Sequence, residues 1–385
     1  MAKQIIKFAV IGCGLMGKEF ASAAARWLHL NDLDFRPEIV AACDVNPAAL
    51  EWFVHNLPTI AKTTTDYHDL LGDANIDAIY CAIPHHLHAQ VYTDIIRVGK
   101  HLMGEKPFGI DLPANQQILD VAHRHPQVLV RCSSEMPFYP GPYRIRQWVE
   151  EERFGRIVEV EAGLWHSGDL NPNKPINWKR QIEFNGEYGC LGDLGMHALH
   201  LPLRLGWRPN NLRALLSNII TERPNARGDL VPCETWDNGI LACEVKTAAQ
   251  SFPMILSTKR IAPGHANTWF IKIDGTQFSA YYTTKHPKAL AWLPYRPGDE
   301  QVWHVVDVPH QSAYPSITGG IFEFGFSDAI LQMWAAFCDE LVHGPDMRQP
   351  FHCVTPEEAH ATHLIFTAAL ESQRRAQTIA LDWGN

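Results

Sequence analysis

Gly12-Cys13-Gly14-Leu15-Met16-Gly17 stands between two very different neighbours. Before it, Ile5-Ile6-Lys7-Phe8-Ala9-Val10-Ile11 is a short apolar run with β-branched residues at four of seven positions, as in a buried strand. After it, residues 18–28 are Ala-rich and free of Gly and Pro, as in a helix. Strand, G-x-G-x-x-G and helix together form a dinucleotide-binding fingerprint. Gly12 permits the tight turn, Gly14 admits a pyrophosphate close to the backbone, and Gly17 lets helix and strand pack. The helix N-terminus then offers free N–H groups and a positive dipole end to the phosphates, and Leu15 and Met16 are expected to lie against the cofactor with the glycines.

Residues 38–43 read as the second strand, ending at Asp44. A carboxylate there accepts the adenosine ribose hydroxyls and repels a 2′-phosphate, which selects NAD over NADP. The interval from the glycines exceeds the usual ~20 residues, through an extended connection at 31–37. The competing role for Asp44 is to cap a helix starting near Pro47.

The alternation continues with strands at 77–83, 100–103 and 128–132 and helices at 87–98 and 113–124. Strands alternating with helices imply a doubly wound parallel sheet with right-handed crossovers. Ligands of such sheets lie beyond the strand C-termini, where Pro84-His85, Glu105-Lys106 and Ser133-Ser134-Glu135 fall. His85, His86 and His88 also invite a metal reading, but no Cys, Asp or Glu nearby completes a ligand set. His85 and His88 are therefore expected to face cofactor or substrate, with no metal.

Two domains are expected of 385 residues: 1–134 binding NAD and 135–385 binding substrate and mediating oligomerisation. The composition is globular, with 46% hydrophobic and 19% charged residues. A net charge of −9 without a Lys/Arg run argues against nucleic acid. No apolar segment approaches the ~20 residues of a membrane helix, and no signal-peptide apolar region precedes the first strand. The nine cysteines are odd in number, scattered and without a CxxC pair, so they read as reduced core thiols of a cytoplasmic protein.

From about residue 135 the pattern changes. Residues 155–165 alternate with period two, and further strands are expected at 240–245, 254–258, 268–273, 277–282 and 301–306. Lying consecutively without helices between them, they predict an antiparallel sheet. Helices are expected at 330–343 and 356–377, the second capped by Thr355 with Pro356 at N1. In Gly192-Asp193-Leu194-Gly195-Met196-His197 the acid and imidazole are four apart, so on a helix they share a face and reach one substrate. The plainer role is a helix N-terminus where Asp193 favours the dipole and His197 packs.

The set G-C-G-L-M-G, A-I-P-H-H-L-H-A, G-K-H-L-M-G-E-K-P-F and G-D-L-G-M-H-A-L-H resembles the Gfo/Idh/MocA oxidoreductase family, motif by motif and in order. The resemblance implies a Rossmann domain followed by an α/β domain with a large, open, mostly antiparallel sheet. It also implies NAD(P)-dependent chemistry on sugars and cyclitols. By that resemblance Glu105 lies near the nicotinamide ribose, Lys106 is the catalytic lysine, Asp193 binds substrate, and His197 shares the proton with Lys106. Physically, a lysine there hydrogen-bonds the reacting hydroxyl and stabilises the developing alkoxide; a surface Lys-Pro turn is the alternative. Pro107 restricts Lys106 to extended angles and permits a cis bond.

Departures from the family pattern are Gly186-Glu187-Tyr188-Gly189, where consecutive glycines are usual, Pro137-Phe138 in place of Arg-Phe, and His85 in place of Asn. Trp165, Lys179, Arg180 and Tyr188 are expected to contact substrate, through an aromatic face and cations suited to an anionic substituent. The leading expectation is an NAD-dependent dehydrogenase acting on a sugar, glycoside or cyclitol hydroxyl, and a homodimer or homotetramer. The rivals are an NAD-dependent glycoside hydrolase, working by transient oxidation and elimination on a substrate such as a sulfonated sugar, and a non-catalytic nucleotide sensor. In the hydrolase reading, Glu187 and Tyr188 supply extra acid/base groups.

Overall fold

The computed structural model describes residues 3–308, 313–348 and 352–384. The chain divides into two compact units, the first comprising residues 1–109, 113–138 and 310–357 and the second residues 110–112, 139–309 and 358–385.

The first unit carries a six-stranded parallel sheet of β1 (Gln4–Ile11), β2 (Phe35–Cys43), β3 (Lys62–Thr64), β4 (Ala78–Cys81), β5 (His101–Glu105) and β6 (Val130–Ser133). The order is β3-β2-β1-β4-β5-β6, a doubly wound arrangement whose direction of growth reverses beside β1. The connections hold α1 (Leu15–Ala25), α2 (Pro47–Asn56), the short α3 (His68–Leu71), α4 (His88–Arg97) and α5 (Leu112–Arg124). Phe8, Ala9 and Val10 are fully buried, as a strand covered on both faces requires. The short β3 and α3 fall outside the expected elements.

Residues 310–357 return to this unit through α9 (Phe326–His343), whose Trp334 stacks on Phe20 of α1 with ring centroids 3.7 Å apart. A division of the chain into two consecutive pieces does not describe this return. The aromatic packing explains it, because Phe8, Phe20 and Tyr80 all meet Trp334.

The second unit begins with α6 (Pro140–Glu150) and is built on a nine-stranded sheet. In chain order its elements are β7 (Ile157–Trp165), α7 (Ile182–Asn185), α8 (Met196–Arg204), β8 (Pro209–Ser217), a small hairpin of β9 (Glu222–Pro224) and β10 (Leu230–Pro232), and β11 (Asn238–Lys246). Then follow β12 (Ser251–Lys259), β13 (Thr268–Gly275), β14 (Phe278–Thr283), β15 (Ala289–Pro294), β16 (His304–Asp307), α10 (Pro356–Arg375) and β17 (Ile379–Ala380). The large sheet runs β16-β15-β14-β13-β7-β12-β11-β8-β17. Its pairs are antiparallel except β7 with β12, which is parallel because β7 inserts between two strands that follow it in sequence. The sheet is therefore mixed and mostly antiparallel. Along β11, buried Gly239, Leu241, Cys243 and Val245 alternate with outward residues, the period of a sheet with one covered face.

Candidate functional sites

At the end of β1, Gly12 has φ +94°, and a side chain there would collide with the carbonyl of Ala82. A side chain at Gly17 would meet the Gly12 carbonyl, so both glycines are required by close backbone approach. At Gly14 nothing stands within 4 Å of a would-be Cβ. Gly14 is also the N-cap of α1 and supplies no capping side chain, so the first N–H groups of α1 are left for an outside acceptor. A pyrophosphate meets both requirements of this corner, open space and donors.

Asp44 stands where β2 ends. Its Oδ2 accepts from the Cys13 N–H at 2.8 Å and its Oδ1 from the Asn46 N–H at 2.9 Å. The cap of α2 is Asn46, whose Oδ1 accepts from Ala48 N–H at 3.2 Å, with Pro47 following. Asp44 is thus spared the capping role and is locked to the glycine loop. A carboxylate offers about four lone-pair directions, so two bonds leave it able to accept others.

Beyond β4, Pro84 is extended and His85 is 3% exposed in a single 3₁₀ turn. His88 is fully buried: its Nε2 donates to the Ile83 carbonyl at 3.0 Å, and its Nδ1 accepts from Gly109 N–H at 3.3 Å. Its ring also stacks on Tyr92 at 4.6 Å. Both nitrogens are committed to scaffolding, which corrects the expectation that His88 faces a ligand. Among the described residues no group of three or more His, Cys, Asp or Glu is placed to hold a metal.

Glu105 closes β5, and its Oε1 accepts the Tyr80 hydroxyl at 2.7 Å. Lys106 follows, half-buried, and the Lys106–Pro107 bond is cis. Glu135, past the end of β6, is 6% exposed, and its carboxyl is pushed up to about 7 by burial, with the charge of Glu105 adding to the effect.

In the second unit, Leu191–Gly195 forms a π-helical turn that runs into α8. Asp193 belongs to that turn rather than to a regular helix shared with His197. Its buried carboxylate is held by Lys179 Nζ at 2.8 Å and Arg260 Nη1 at 3.6 Å. Arg260 reaches on to Asp169 at 2.8 Å, which also pairs with Lys174 at 3.3 Å. His166 belongs to this group: desolvation, opposed by Asp193, lowers its imidazole to about 4. Its Nδ1 accepts from Gly168 N–H at 2.9 Å, so the neutral ring carries its proton on Nε2. His197 is 6% exposed, and its carbonyl accepts from Trp269 Nε1 at 2.9 Å. Trp165 gives its Nε1–H to Ser257 at 2.6 Å, and Lys259 Nζ lies 4.4 Å from its ring centroid.

Two expected substrate contacts are spent elsewhere. Arg180 is fully buried, donating from Nη2 to Asn218, the Ile220 carbonyl and Asp237. It is a structural cation. Tyr188 is 3% exposed, its hydroxyl shares a proton with Thr367 Oγ1 at 2.8 Å, and its ring lies against Phe366. Burial raises its phenol well above the ordinary range, and Glu187 pairs at the surface with Arg374. Neither is placed as an acid/base group beside Asp193. Asp169 was not singled out as a site residue, and local spacing carries no signal for it.

Residues 6–131 match the family model GFO_IDH_MocA, an oxidoreductase family with an NAD-binding Rossmann fold. A levoglucosan dehydrogenase from Pseudarthrobacter phenanthrenivorans is 26% identical over 226 residues, 58% of this chain and 57% of that protein. An inositol 2-dehydrogenase/D-chiro-inositol 3-dehydrogenase from Lactiplantibacillus plantarum is 21% identical over 160 residues, 41% of this chain and 43% of that one. The chain spans about half the length of the curated relatives it matches. A solved levoglucosan dehydrogenase in complex with NADH has a TM-score of 0.84 at 21% identity, over 98% of this chain and 100% of that one. An oxidoreductase domain protein from Kribbella flavida reaches 0.86 at 18% identity, over 99% and 100%. At these identities the likeness of the structures is one of fold. Residues 6–131 of this chain thus resemble the NAD-binding Rossmann domain of the Gfo/Idh/MocA oxidoreductases.

Proposed function

We propose that the protein is an NAD-dependent dehydrogenase acting on a hydroxyl carbon of a sugar, glycoside or cyclitol. The observation that carries this reading is the buried Asp193 carboxylate, held between Lys179 and Arg260 in a chain whose other unit carries the glycine loop, Asp44 and Glu105-Lys106. The named activities of the levoglucosan and inositol relatives support the substrate class.

Bound NAD supplies the hydride acceptor. The backbone at Gly12, Gly14, Leu15, Met16 and Gly17 binds the pyrophosphate, Asp44 the adenosine ribose, and Pro84, His85 and Glu105 line the nicotinamide end. Lys106 hydrogen-bonds the reacting hydroxyl and, with His197, takes up its proton. Asp193, fixed by two cations, accepts a substrate hydroxyl, and Trp165 and Lys179 flank it. The nine buried free thiols suit a reducing, cytoplasmic setting. No helix of the described residues is long and apolar enough to cross a membrane. A homodimer or homotetramer is supported by edge strand β16, exposed along its whole length with Val305 70% open.

NADH should bind much more tightly than NADPH, and Asp44→Ser should narrow the gap. Fluorescence titration of both nucleotides measures this, and equal affinities in the unaltered protein would remove Asp44 from ribose recognition.

The hydrolase alternative loses support from the placement of Tyr188 and Glu187. With a panel of sugars and aryl glycosides, the dehydrogenase reading predicts NADH accumulating in proportion to product and Tyr188→Phe leaving turnover within a small factor. Aglycone release with catalytic NAD and no net NADH would establish the hydrolase instead.

A further inference from the structure

The C-terminal ends of β5 and β6 gather three ionisable side chains. Parallel pairing sets Glu105 opposite Ser133. From there the chain carries Lys106 off β5 and Ser134-Glu135 off β6. Glu105 and Glu135 are 8% and 6% exposed, so both carboxyls are withdrawn from water. Two carboxylates gathered in one buried place do not both ionise freely. Glu105 accepts the Tyr80 hydroxyl at 2.7 Å. That phenol is kept neutral by burial and by Glu105 itself.

The charged groups acting on Glu135 are Glu105 and Lys106, and Tyr80 acts through Glu105. Helix α9, packed on this turn, presents uncharged Met333 to Ser133. Burial raises the Glu135 carboxyl to about 7, its own backbone N–H and Lys106 pull it down, and Glu105 pushes it up.

We propose that Glu135 is a positioning residue for Lys106: uncharged while it holds its proton, it becomes on ionisation a second carboxylate that stabilises the lysine's ammonium form. The proposal rests on the proton-handling role given to Lys106 above. As pH rises through about 7, the new negative charge favours the ammonium, so the proton-accepting amine appears only at higher pH. Glu135→Gln keeps the shape and polarity of the side chain but cannot ionise, and its lysine should release its proton about one pH unit lower.

Two measurements on the full chain test this. Infrared titration of the ligand-free protein should show a carboxylic-acid carbonyl band that disappears as pH passes about 7, is absent from Glu135→Gln and persists in Glu135→Asp. The pH profile of kcat/KM at saturating NAD should lose its inflection near 7 in Glu135→Gln, with the Lys106 limb moved down, and regain it in Glu135→Asp. An unchanged infrared band in Glu135→Gln, or a profile that superimposes on that of the unaltered protein, overturns the proposal. If no sugar is turned over, the functional reading falls alone, because the infrared titration still decides whether Glu135 holds the proton.

Discussion

Lys106→Ala should lower turnover by about 10²–10⁴, the usual contribution of a positioned acid–base group. Its NAD affinity should stay within a small factor of normal. The split follows from where the residue sits. The pyrophosphate corner is made of backbone at Gly12, Gly14 and the start of α1, and Asp44 is anchored to Cys13 and Asn46, none of which involves Lys106. The neighbouring Glu105 is held by Tyr80 whether or not the lysine is present. Steady-state kinetics with a productive sugar and a parallel NADH titration measure both quantities. Near-normal turnover would exclude Lys106 from the chemistry, whereas a large loss of NAD affinity would make it a cofactor anchor.

Asp237→Ala should destabilise the fold by about 3–5 kcal/mol, the cost of leaving one partner of a buried ion pair uncompensated. Arg180 and Asp237 are both fully buried, 3.2 Å apart. Asp237 also accepts the N–H groups of Ile219 and Ile220, so its loss orphans backbone donors as well. Arg180→Met should destabilise comparably by leaving the carboxylate alone. Denaturant midpoints measure both variants. A raised KM for an anionic sugar with an unmoved midpoint in Arg180→Met would restore Arg180 as a substrate contact.

The contrast between these two residues shows what the sequence discloses. The glycine corner was legible because its chemistry is local: a turn, a close approach and a helix start lie within six residues. Asp44 was legible as a strand end, though only the Asn46 cap separated its two roles. Arg180 looked like substrate material because its partner lies 57 residues away in sequence. Nothing near Arg180 predicts that burial. Tyr188 stood in a glycine-rich motif, yet its hydroxyl is claimed by Thr367, 179 residues on.

Sheet order shows the same limit. In the second unit β7, β11, β12, β13, β14 and β16 were visible in the sequence and β15 was not, and the parallel contact of β7 with β12 depends on β7 entering the middle of the sheet. Strand β8 was missed because Pro-Asn-Asn opens it with turn residues. The return of residues 310–357 to the first unit depends on Trp334 finding Phe20, which periodicity cannot register.

The central claim is hydride transfer from a carbohydrate carbon to NAD. The protein should be incubated with NAD and a panel of sugars, glycosides and cyclitols deuterated at their hydroxyl-bearing carbons, and the recovered nicotinamide analysed for deuterium at C4. At least one substrate should deliver one deuterium per NADH formed, and Lys106→Ala should abolish the transfer on the same timescale. Protein that binds NADH yet transfers no deuterium from any member of the panel would contradict the claim.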